Sequence, residues 1–397
     1  MPKGFIFSII VIIQALGQVL ADMYLPSFPA IASAFKTPMQ NVELTLTIYA
    51  FGYGISQLIY GPISDGYGRR KPMVVGLFLC SLGSLICFVA PNIETLLLGR
   101  LCQALGAGAT LAVGTAILHD LFLGPTLSKY MSYAGVVFVV SLALAPLLGG
   151  YIQTYLGWRA IFALTTMLSI LAFIVFIFKI PETNQHLNRE NLRYPILKQN
   201  IRTLLSSPFF IGYASCSLLT YGAILAWITA GPILLEEVVG LSPIEYGWVY
   251  VATSVAFAVG AFSNSKLVSR FDMNMILQSG LVLMLIAGLT MLLFEFMGSI
   301  NTGVILGPAM LLLFSASLVF PNTSAGLLHP FPHITGIASA LFYSTRLLGG
   351  AIFSGWIALM PHDTQMPMGF AFIISAVLSW VIFYVTVLSK ERGQVSN

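Results

Sequence analysis

Charged residues are scarce in this sequence. Asp, Glu, Lys and Arg make up 8% of the 397 residues, whereas soluble domains contain about 25%. Hydrophobic residues make up 57% of the chain, and the mean hydropathy is +0.90. No soluble core could bury so much apolar surface, so the composition excludes a soluble globular protein and predicts a polytopic membrane protein.

Residue types and motifs that usually form catalytic, metal-binding or nucleotide-binding sites are also few. The four Cys lie in apolar runs without the spacing of metal ligands, so we interpret them as small core residues. The five His lie near the ends of the apolar runs or in the central polar stretch, and none forms a cluster with acids inside a run. The sequence also lacks a nucleotide-binding loop. We therefore predict that the protein is not an enzyme, does not hydrolyse ATP, and uses neither a cofactor nor a metal.

Long apolar runs dominate the rest of the chain. A helix needs about 20 apolar residues to cross ~30 Å of hydrocarbon, and twelve runs are close to this length or longer. They predict an all-α polytopic membrane protein with twelve transmembrane helices, at residues 5–34, 42–64, 73–90, 93–121, 128–155, 158–180, 209–235, 243–265, 275–296, 303–321, 334–360 and 369–388.

The distribution of basic residues predicts the orientation of these helices. If both termini are cytoplasmic, the inner segments contain most of the 18 Lys and Arg residues, as the positive-inside rule requires. We therefore expect a multi-pass protein with both termini in the cytoplasm. The net charge of +4 follows from the same asymmetry, and it gives no reason to expect a nucleic-acid partner.

The longest polar stretch separates six apolar runs from six. It predicts an N-terminal six-helix bundle at residues 1–181, a central cytoplasmic linker at 182–207 and a C-terminal six-helix bundle at 208–397. Two pseudo-symmetric bundles around a site near the membrane midplane are typical of secondary transporters. Apolar residues at helical spacing also predict a short amphipathic helix between residues 194 and 205 of the linker.

A polar stripe lies on the first predicted helix. Gln14, Gln18 and Asp22 follow one another at steps of four residues, so they share one helix face. Arg100, in the fourth helix, is expected at a similar depth. Charges inside a bilayer are costly and usually functional. Asp22 is then either a proton-binding carboxylate that responds to hydration and to its distance from Arg100, or half of a static buried salt bridge.

Arg346 is a second charge that we expect deep in the membrane. It lies about the middle of the eleventh predicted helix, with no acid within two turns of it in sequence. Its partner is either a substrate carboxylate or phosphate, which an Arg can bind through two parallel hydrogen bonds, or an internal group such as Asp22.

Other polar and aromatic residues complete the predicted substrate site. Tyr53 and Gln57 lie one turn apart on the second helix and are the best candidates for lining a cavity. For the aromatic residues, helix packing is the competing interpretation. The substrate-binding residues that we predict are Gln14, Gln18, Tyr53, Gln57, Gln103, Tyr221 and Arg346.

A short, glycine-rich, charged loop separates the second helix from the third. Asp65 lies at the inner end of the second helix, where a carboxylate can face the N-terminus of a nearby helix. Arg69 and Arg70 can reach Asp120 at the inner end of the fourth helix. We predict that these contacts hold the two halves closed on the inside, as a gate formed by Gly61, Asp65, Gly68, Arg69, Arg70 and Asp120.

The same loop resembles the one between the second and third helices of the major facilitator superfamily. Gly66 departs from that pattern, which usually has Arg or Lys at this position. Other stretches resemble a narrower group, the bicyclomycin-resistance-like (Bcr/CflA) drug:proton antiporters. These stretches are residues 21–26, 57–65, 99–108, 145–150, 157–162, 181–183, 320–322 and 336–340.

The resemblance implies a major-facilitator fold and a bacterial inner-membrane protein that works by alternating access. It implies that Asp22 and Arg100 couple transport to protons, and that residues 145–150, with Pro146, Gly149 and Gly150, form the antiporter motif of the fifth helix. We expect a monomer in the lipid bilayer that exports drugs or metabolites by proton antiport, driven by the proton gradient.

The drug exporters of this group are not expected to have an Arg at the position of Arg346. An alternative function is therefore a carrier of an anionic metabolite such as a carboxylate siderophore, bound through Arg346, and such a carrier could be an importer.

Overall fold

The fold of the described residues is helical. The computed structural model describes residues 3–122, 124–184, 194–328, 330–331, 334–361 and 363–389. Their α-helices are α1 (Lys3–Asp22), α2 (Phe28–Phe35), α3 (Met39–Tyr67), α4 (Arg70–Val89), α5 (Ile93–Leu121), α6 (Gly124–Leu156), α7 (Trp158–Lys179), α8 (Tyr194–Ser206), α9 (Pro208–Pro232), α10 (Pro243–Leu267), α11 (Met273–Phe296), α12 (Thr302–Leu328), α13 (Thr335–Ala358) and α14 (Met366–Phe383). The predicted all-α fold class is confirmed.

Eleven helical segments in the described part of the chain are long and apolar enough to cross a membrane. Helix α3, which covers the predicted run 42–64, is not among them. Its 29 residues are long enough, but its Tyr, Thr, Gly, Gln and Glu residues lower its hydropathy. Each of the twelve predicted runs corresponds to a helix in the described residues, and eleven of them meet both the length and the hydropathy of a membrane-spanning helix.

The first predicted span is interrupted. Helix α1 ends at Asp22, and a 3₁₀ turn at Leu25–Ser27 separates it from α2. Pro26 lies in this turn, and a proline has no N–H group with which to continue a helix. The interruption places Asp22 at the carboxyl end of α1, rather than inside a continuous helix.

The described residues form two compact units. Unit 1 contains residues up to 198 together with 242–247, and unit 2 contains residues 199–241 and those from 248 onward. In unit 1, α5 packs against α1, α3 and α4, and α6 packs against α1. In unit 2, α9 packs against α12, α13 and α14, and α11 packs against α12 and α14.

Parts of the predicted domain plan lie outside the described residues. These are residues 185–193 of the predicted linker and the terminal residues 1–2 and 390–397. The amphipathic helix predicted in the linker corresponds to α8. The domain boundaries 181/182 and 207/208 and the cytoplasmic location of both termini stay predictions.

Glycines bring α4 and α5 into close contact. A Cβ atom on Gly83 would lie 2.7 Å from the Cα of Gln103, and one on Gly99 would lie 2.9 Å from the backbone nitrogen of Cys87. Only small residues allow two membrane helices to approach so closely. This packing fixes the position of α5, which carries Arg100 and Gln103.

We predict that Gly83→Ala destabilises the protein, whereas Gly135→Ala on α6 does not. A methyl group at Gly83 collides with the backbone of α5, but one at Gly135 meets no atom of the described residues within 4 Å. Overpacking of this kind costs about 1–3 kcal/mol. Thermal unfolding of both variants in detergent measures the difference, and equal midpoints would contradict the close packing of α4 and α5.

Candidate functional site

The polar stripe predicted on α1 is present. Asp22 is 2% exposed and accepts a hydrogen bond of 2.5 Å from the Nε2 of Gln18, one turn earlier. Gln14 donates from its Nε2 to the Oγ1 of Thr115 on α5, at 3.0 Å. The stripe therefore begins at the α1–α5 contact and ends at a buried carboxylate whose hydrogen-bond donor is a neutral amide.

Arg100 lies between two aromatic rings. Its side chain is fully buried, and its Cζ lies 4.1 Å from the ring centroid of Tyr24 and 4.3 Å from that of Tyr49. Its Nη1 donates to the carbonyl oxygen of Leu20 at 2.7 Å and to the Oε1 of Gln103 at 2.5 Å. Ring faces and a carbonyl oxygen thus take the place of water around this cation.

Asp22 and Arg100 are neighbours without an ion pair. Arg100 donates to the carbonyl of Leu20, two residues before Asp22. Within the described residues, however, the ion pairs shorter than 4.0 Å belong to Arg69. The Nε and Nη2 groups of Arg100 have no hydrogen-bond partner there either. The static salt bridge that the sequence left open as an alternative is therefore not the arrangement found.

The other predicted substrate residues of unit 1 differ in their surroundings. Gln57 is 3% exposed, and its Nε2 finds no acceptor among the described residues. Tyr53 is buried, and its ring lies 5.9 Å from that of Tyr49. Gln103 uses both ends of its amide, because it accepts from Arg100 and donates to the Oγ of Ser84 at 2.7 Å. Gln103 thus positions Arg100, whereas Gln57 has a donor left for a ligand.

One of the residues predicted to form the antiporter motif, Gly149, lies close to Asp22. Pro146 lies inside α6, and Gly149 and Gly150 are buried on it. A Cβ atom on Gly149 would lie 2.9 Å from the carbonyl carbon of Met23. The missing side chain therefore lets α6 touch the backbone immediately after Asp22.

In unit 2, Arg346 forms an aromatic cluster with Tyr221 and Phe320. The half-buried Arg346 places its Cζ 3.5 Å from the ring centroid of Phe320 and 5.0 Å from that of Tyr221. The two rings lie 6.4 Å apart. The predicted residues Tyr221 and Arg346 are thus brought together, and Phe320 is a partner that the sequence did not single out.

Arg69 is the centre of the hairpin cluster. Its Nη1 donates to Asp65 and to the Oγ of Ser64 at 2.9 Å, and its Nε donates to the Oδ2 of Asp120 at 3.0 Å. The contact predicted between Arg69 and Asp120 is therefore present. It joins α3, α4 and α5 of unit 1, and a role in closing the two halves stays a prediction.

Three details of the hairpin were predicted wrongly. The loop predicted between residues 64 and 73 is shorter than expected, because α3 continues to Tyr67 and only Gly68 and Arg69 separate it from α4. Gly68 has a φ of 92°, which favours glycine. Arg70 donates to the carbonyl of Ile177 at 2.8 Å instead of reaching Asp120, because it begins α4 beside the end of α7.

The third error concerns the N-terminus of α4, which Glu182 caps instead of Asp65. Glu182 accepts from the backbone N–H groups of Arg69 at 2.8 Å and Arg70 at 3.0 Å. Thr183 donates to Asp120 at 3.1 Å, and Asn184 donates to the carbonyl of Asp65 at 3.3 Å. Residues 182–184, which follow α7, therefore form a hydrogen-bonded clamp on the hairpin.

The clamp changes the acidity of Glu182. Partial burial opposes ionisation of its carboxyl group, but the backbone N–H groups of Asn184, Arg70, Arg69 and Thr183 outweigh it and lower the pKa below its ordinary value of 4.5. Glu182 had appeared only within the family-like stretch 181–183. Nothing in its local sequence reveals a partner more than 100 residues away.

Glu43 is a buried acid that the sequence analysis overlooked. It is fully buried on α3, within the predicted run 42–64. The rule that a charged residue inside a membrane span is a functional candidate would have identified it.

Membrane-spanning helices that bury charged side chains in unit 1 and polar side chains in both units are features of a polytopic membrane protein with internal polar sites. Residues 8–354 match the model of the Major Facilitator Superfamily. The chain belongs to this superfamily, so it is a transporter and not an enzyme.

Its relatives agree with this family. The chain is 29% identical over 369 residues to a bicyclomycin resistance protein homolog of Haemophilus influenzae, covering 91% of each chain. It is 31% identical over 385 residues to an uncharacterized MFS-type transporter of Bacillus subtilis, covering 96% of this chain and 94% of the relative. It is 27% identical over 371 residues to multidrug resistance protein D of Escherichia coli, covering 93% and 92%.

Solved structures support the fold. A D-xylose-proton symporter superposes with a TM-score of 0.74 at 15% identity, covering 94% of this chain and 96% of the symporter. The inward open xylose transporter XylE of E. coli gives a TM-score of 0.74 at 14% identity, covering 95% of each. The predicted major-facilitator fold is thereby confirmed.

We predict that Glu182→Gln changes how stability responds to acid. Because the pKa of Glu182 is lower in the folded than in the unfolded state, its ionised form stabilises the fold above the unfolded pKa, and this stabilisation is lost as the pH falls through the folded value. Below about pH 5 the wild type should therefore lose thermal stability more steeply than Glu182→Gln.

The side chain of Glu182 is exposed, so we expect only a modest difference between the two proteins in how steeply thermal stability depends on pH. The control is Glu94→Gln, at an exposed glutamate in the first turn of α5, which should follow the wild type. If the thermal stability of the wild type and that of Glu182→Gln fall equally with decreasing pH, the clamp does not depend on an ionised Glu182.

Proposed function

We propose that the protein is a proton-coupled antiporter that exports small organic molecules across the bacterial inner membrane. One observation carries the proposal: Asp22 is buried at the end of α1, bonded to the neutral Gln18, and is a neighbour of Arg100 without pairing with it. The relatives named for bicyclomycin and multidrug resistance favour a drug-like cargo.

The partner of Asp22 suits a group that changes its protonation state. A carboxylate locked in a salt bridge stays ionised. The amide of Gln18 contains both a donor and an acceptor, so after reorientation it can bond to either form of the carboxyl group. In addition, an ionised carboxylate at the carboxyl end of a helix opposes the helix dipole, at a cost of about 0.3–1 kcal/mol where it is exposed.

Arg100 would make the protonation of Asp22 sensitive to the cargo. The guanidinium of Arg100 attracts the ionised carboxylate of Asp22, and protonation of Asp22 removes this attraction. Gln14, Gln18, Tyr53 and Gln57 would line the path to this site. The proton and the cargo would favour opposite conformations, so that binding of one promotes release of the other, as antiport requires.

Movement at Asp22 can reach the rest of unit 1 through α6. Gly149 of α6 touches the backbone at Met23, immediately after Asp22. A ligand shifts a conformational equilibrium only through its different affinity for the two states. We propose that protonation of Asp22 changes this contact, and that the cluster of Arg69 with Asp65 and Asp120 closes the inner side of the pathway.

The remaining parts of the proposal follow from the family plan. Two bundles in one chain suffice for alternating access, so we propose a monomer in the lipid bilayer with both termini in the cytoplasm. The proton gradient supplies the energy.

We predict that Asp22→Asn abolishes proton-driven efflux but keeps substrate exchange. The asparagine retains the size and hydrogen bonding of a protonated aspartate, but it cannot release a proton. The measurement is transport of a labelled drug panel in proteoliposomes, with an imposed pH difference and, separately, without one.

Exchange without a pH difference is the control, because it requires a folded protein and a substrate site but no proton. Undiminished efflux by Asp22→Asn under a pH difference would refute the assignment. Asp22→Glu, which keeps the carboxyl group, should retain part of the coupling.

A second candidate function is supported by Arg346. Its guanidinium lies on the face of Phe320, and a stacked guanidinium keeps its N–H donors at the edge, where they fit a carboxylate. This geometry favours a carrier of an anionic metabolite, such as a carboxylate siderophore. The fold sets no direction, so such a carrier could be an importer.

We predict that Arg346→Gln separates the two candidates. If the cargo is anionic, the variant should bind it about tenfold or more weakly, because a charge-assisted bond is lost, and Arg346→Lys should recover only part of the affinity. Binding of carboxylates and of cationic drugs to the purified variants is the measurement. Unchanged carboxylate affinity in Arg346→Gln would exclude the anion carrier.

A further inference from the structure

A polar groove lies at α8 in unit 2. Its volume is about 370 Å³, within the range of sites for small ligands. None of its six lining residues is acidic. They are Gln199, Arg202, Thr203, Ser206, Ser207 and Phe331.

One face of α8 supplies most of the lining. Gln199, Arg202, Thr203 and Ser206 follow one another at spacings of three and four residues, so they share a face. Ile201 and Leu204 lie on the opposite face, and Leu204 is fully buried. The groove is therefore formed by the polar side of an amphipathic helix whose apolar side is already packed.

The donors in the groove suit an anion. Arg202 contributes a guanidinium, Gln199 an amide and Ser206 a hydroxyl group. The Oγ of Ser207 accepts from the backbone nitrogen of Phe210 at 3.5 Å, so its hydroxyl hydrogen can still be donated. Thr203 donates to the carbonyl of Gln199 at 3.0 Å and can only accept. A guanidinium surrounded by neutral donors is the chemistry that binds a phosphate group.

The position of α8 indicates where that phosphate comes from. Only Ser207 separates α8 from α9, a membrane-spanning helix. A basic amphipathic helix next to a span lies at the level of the lipid headgroups. Phe331, which lines the groove, offers apolar surface to the first part of an acyl chain.

We propose that this groove binds the headgroup phosphate of an anionic phospholipid and so anchors α8 to the membrane surface. Arg202 holds the phosphate, Ser206, Ser207 and Gln199 donate to it, and Phe331 contacts the lipid chain. The proposal does not depend on proton coupling or on the identity of the cargo.

The test compares Arg202→Gln with Lys198→Gln in the full chain. Both variants remove one positive charge from α8, but Lys198 does not line the groove. Each protein is placed in nanodiscs of phosphatidylcholine, alone or mixed with phosphatidylglycerol, and the phospholipids retained after extraction into detergent are counted by native mass spectrometry.

We expect Arg202→Gln to bind phosphatidylglycerol about fivefold more weakly than the wild type, and Lys198→Gln to bind it nearly as well. Thermal unfolding of both variants identifies any misfolding, and Ser206→Val provides a second, charge-neutral variant that should also weaken retention. Equal losses in the two Gln variants would show general surface attraction and overturn the site. Displacement of the lipid by inorganic phosphate alone would show a free-anion site and would also overturn the proposal.

Discussion

A buried cation in an apolar surrounding is the constraint on which unit 1 depends. Removing an ionised group from water costs several kcal/mol unless neighbouring groups replace the water. Arg100 meets this constraint with the rings of Tyr24 and Tyr49, which can contribute about 2 kcal/mol each when desolvated, and with the carbonyl of Leu20. Because these partners do not neutralise its charge, Arg100 keeps an electrostatic influence on the adjacent Asp22.

Two regions of unit 1, the end of α1 at Asp22 and the hairpin between α3 and α4, each connect several helices. At Asp22, helix α1 stops and Gly149 of α6 touches the chain, so the buried carboxyl group lies at a junction of helices rather than inside one. At the hairpin, Arg69 and Glu182 join the ends of α3, α4, α5 and α7. Because the contacts at the hairpin hold the helix ends of unit 1 together, this unit can move as one body, as alternating access requires.

Much of this arrangement could be predicted from the sequence, because local spacing determines it. Apolar runs predict helices, since backbone groups in a membrane must be satisfied within the helix, and four-residue steps placed Gln18 beside Asp22. The tyrosines around Arg100, the cap formed by Glu182 and the groove beside Phe331 join residues distant in sequence. Their distances are set by how the helices pack, which spacing along one helix does not encode.

Infrared difference spectroscopy across a pH titration tests the central claim most directly, because it detects protonated carboxyl groups without any substrate. We predict that the wild type shows a carboxylic acid band that disappears as the pH rises, and that Asp22→Asn lacks this band while Glu43→Gln retains it. If the wild type and Asp22→Asn give the same difference spectra, Asp22 does not exchange protons and the proposed coupling is wrong.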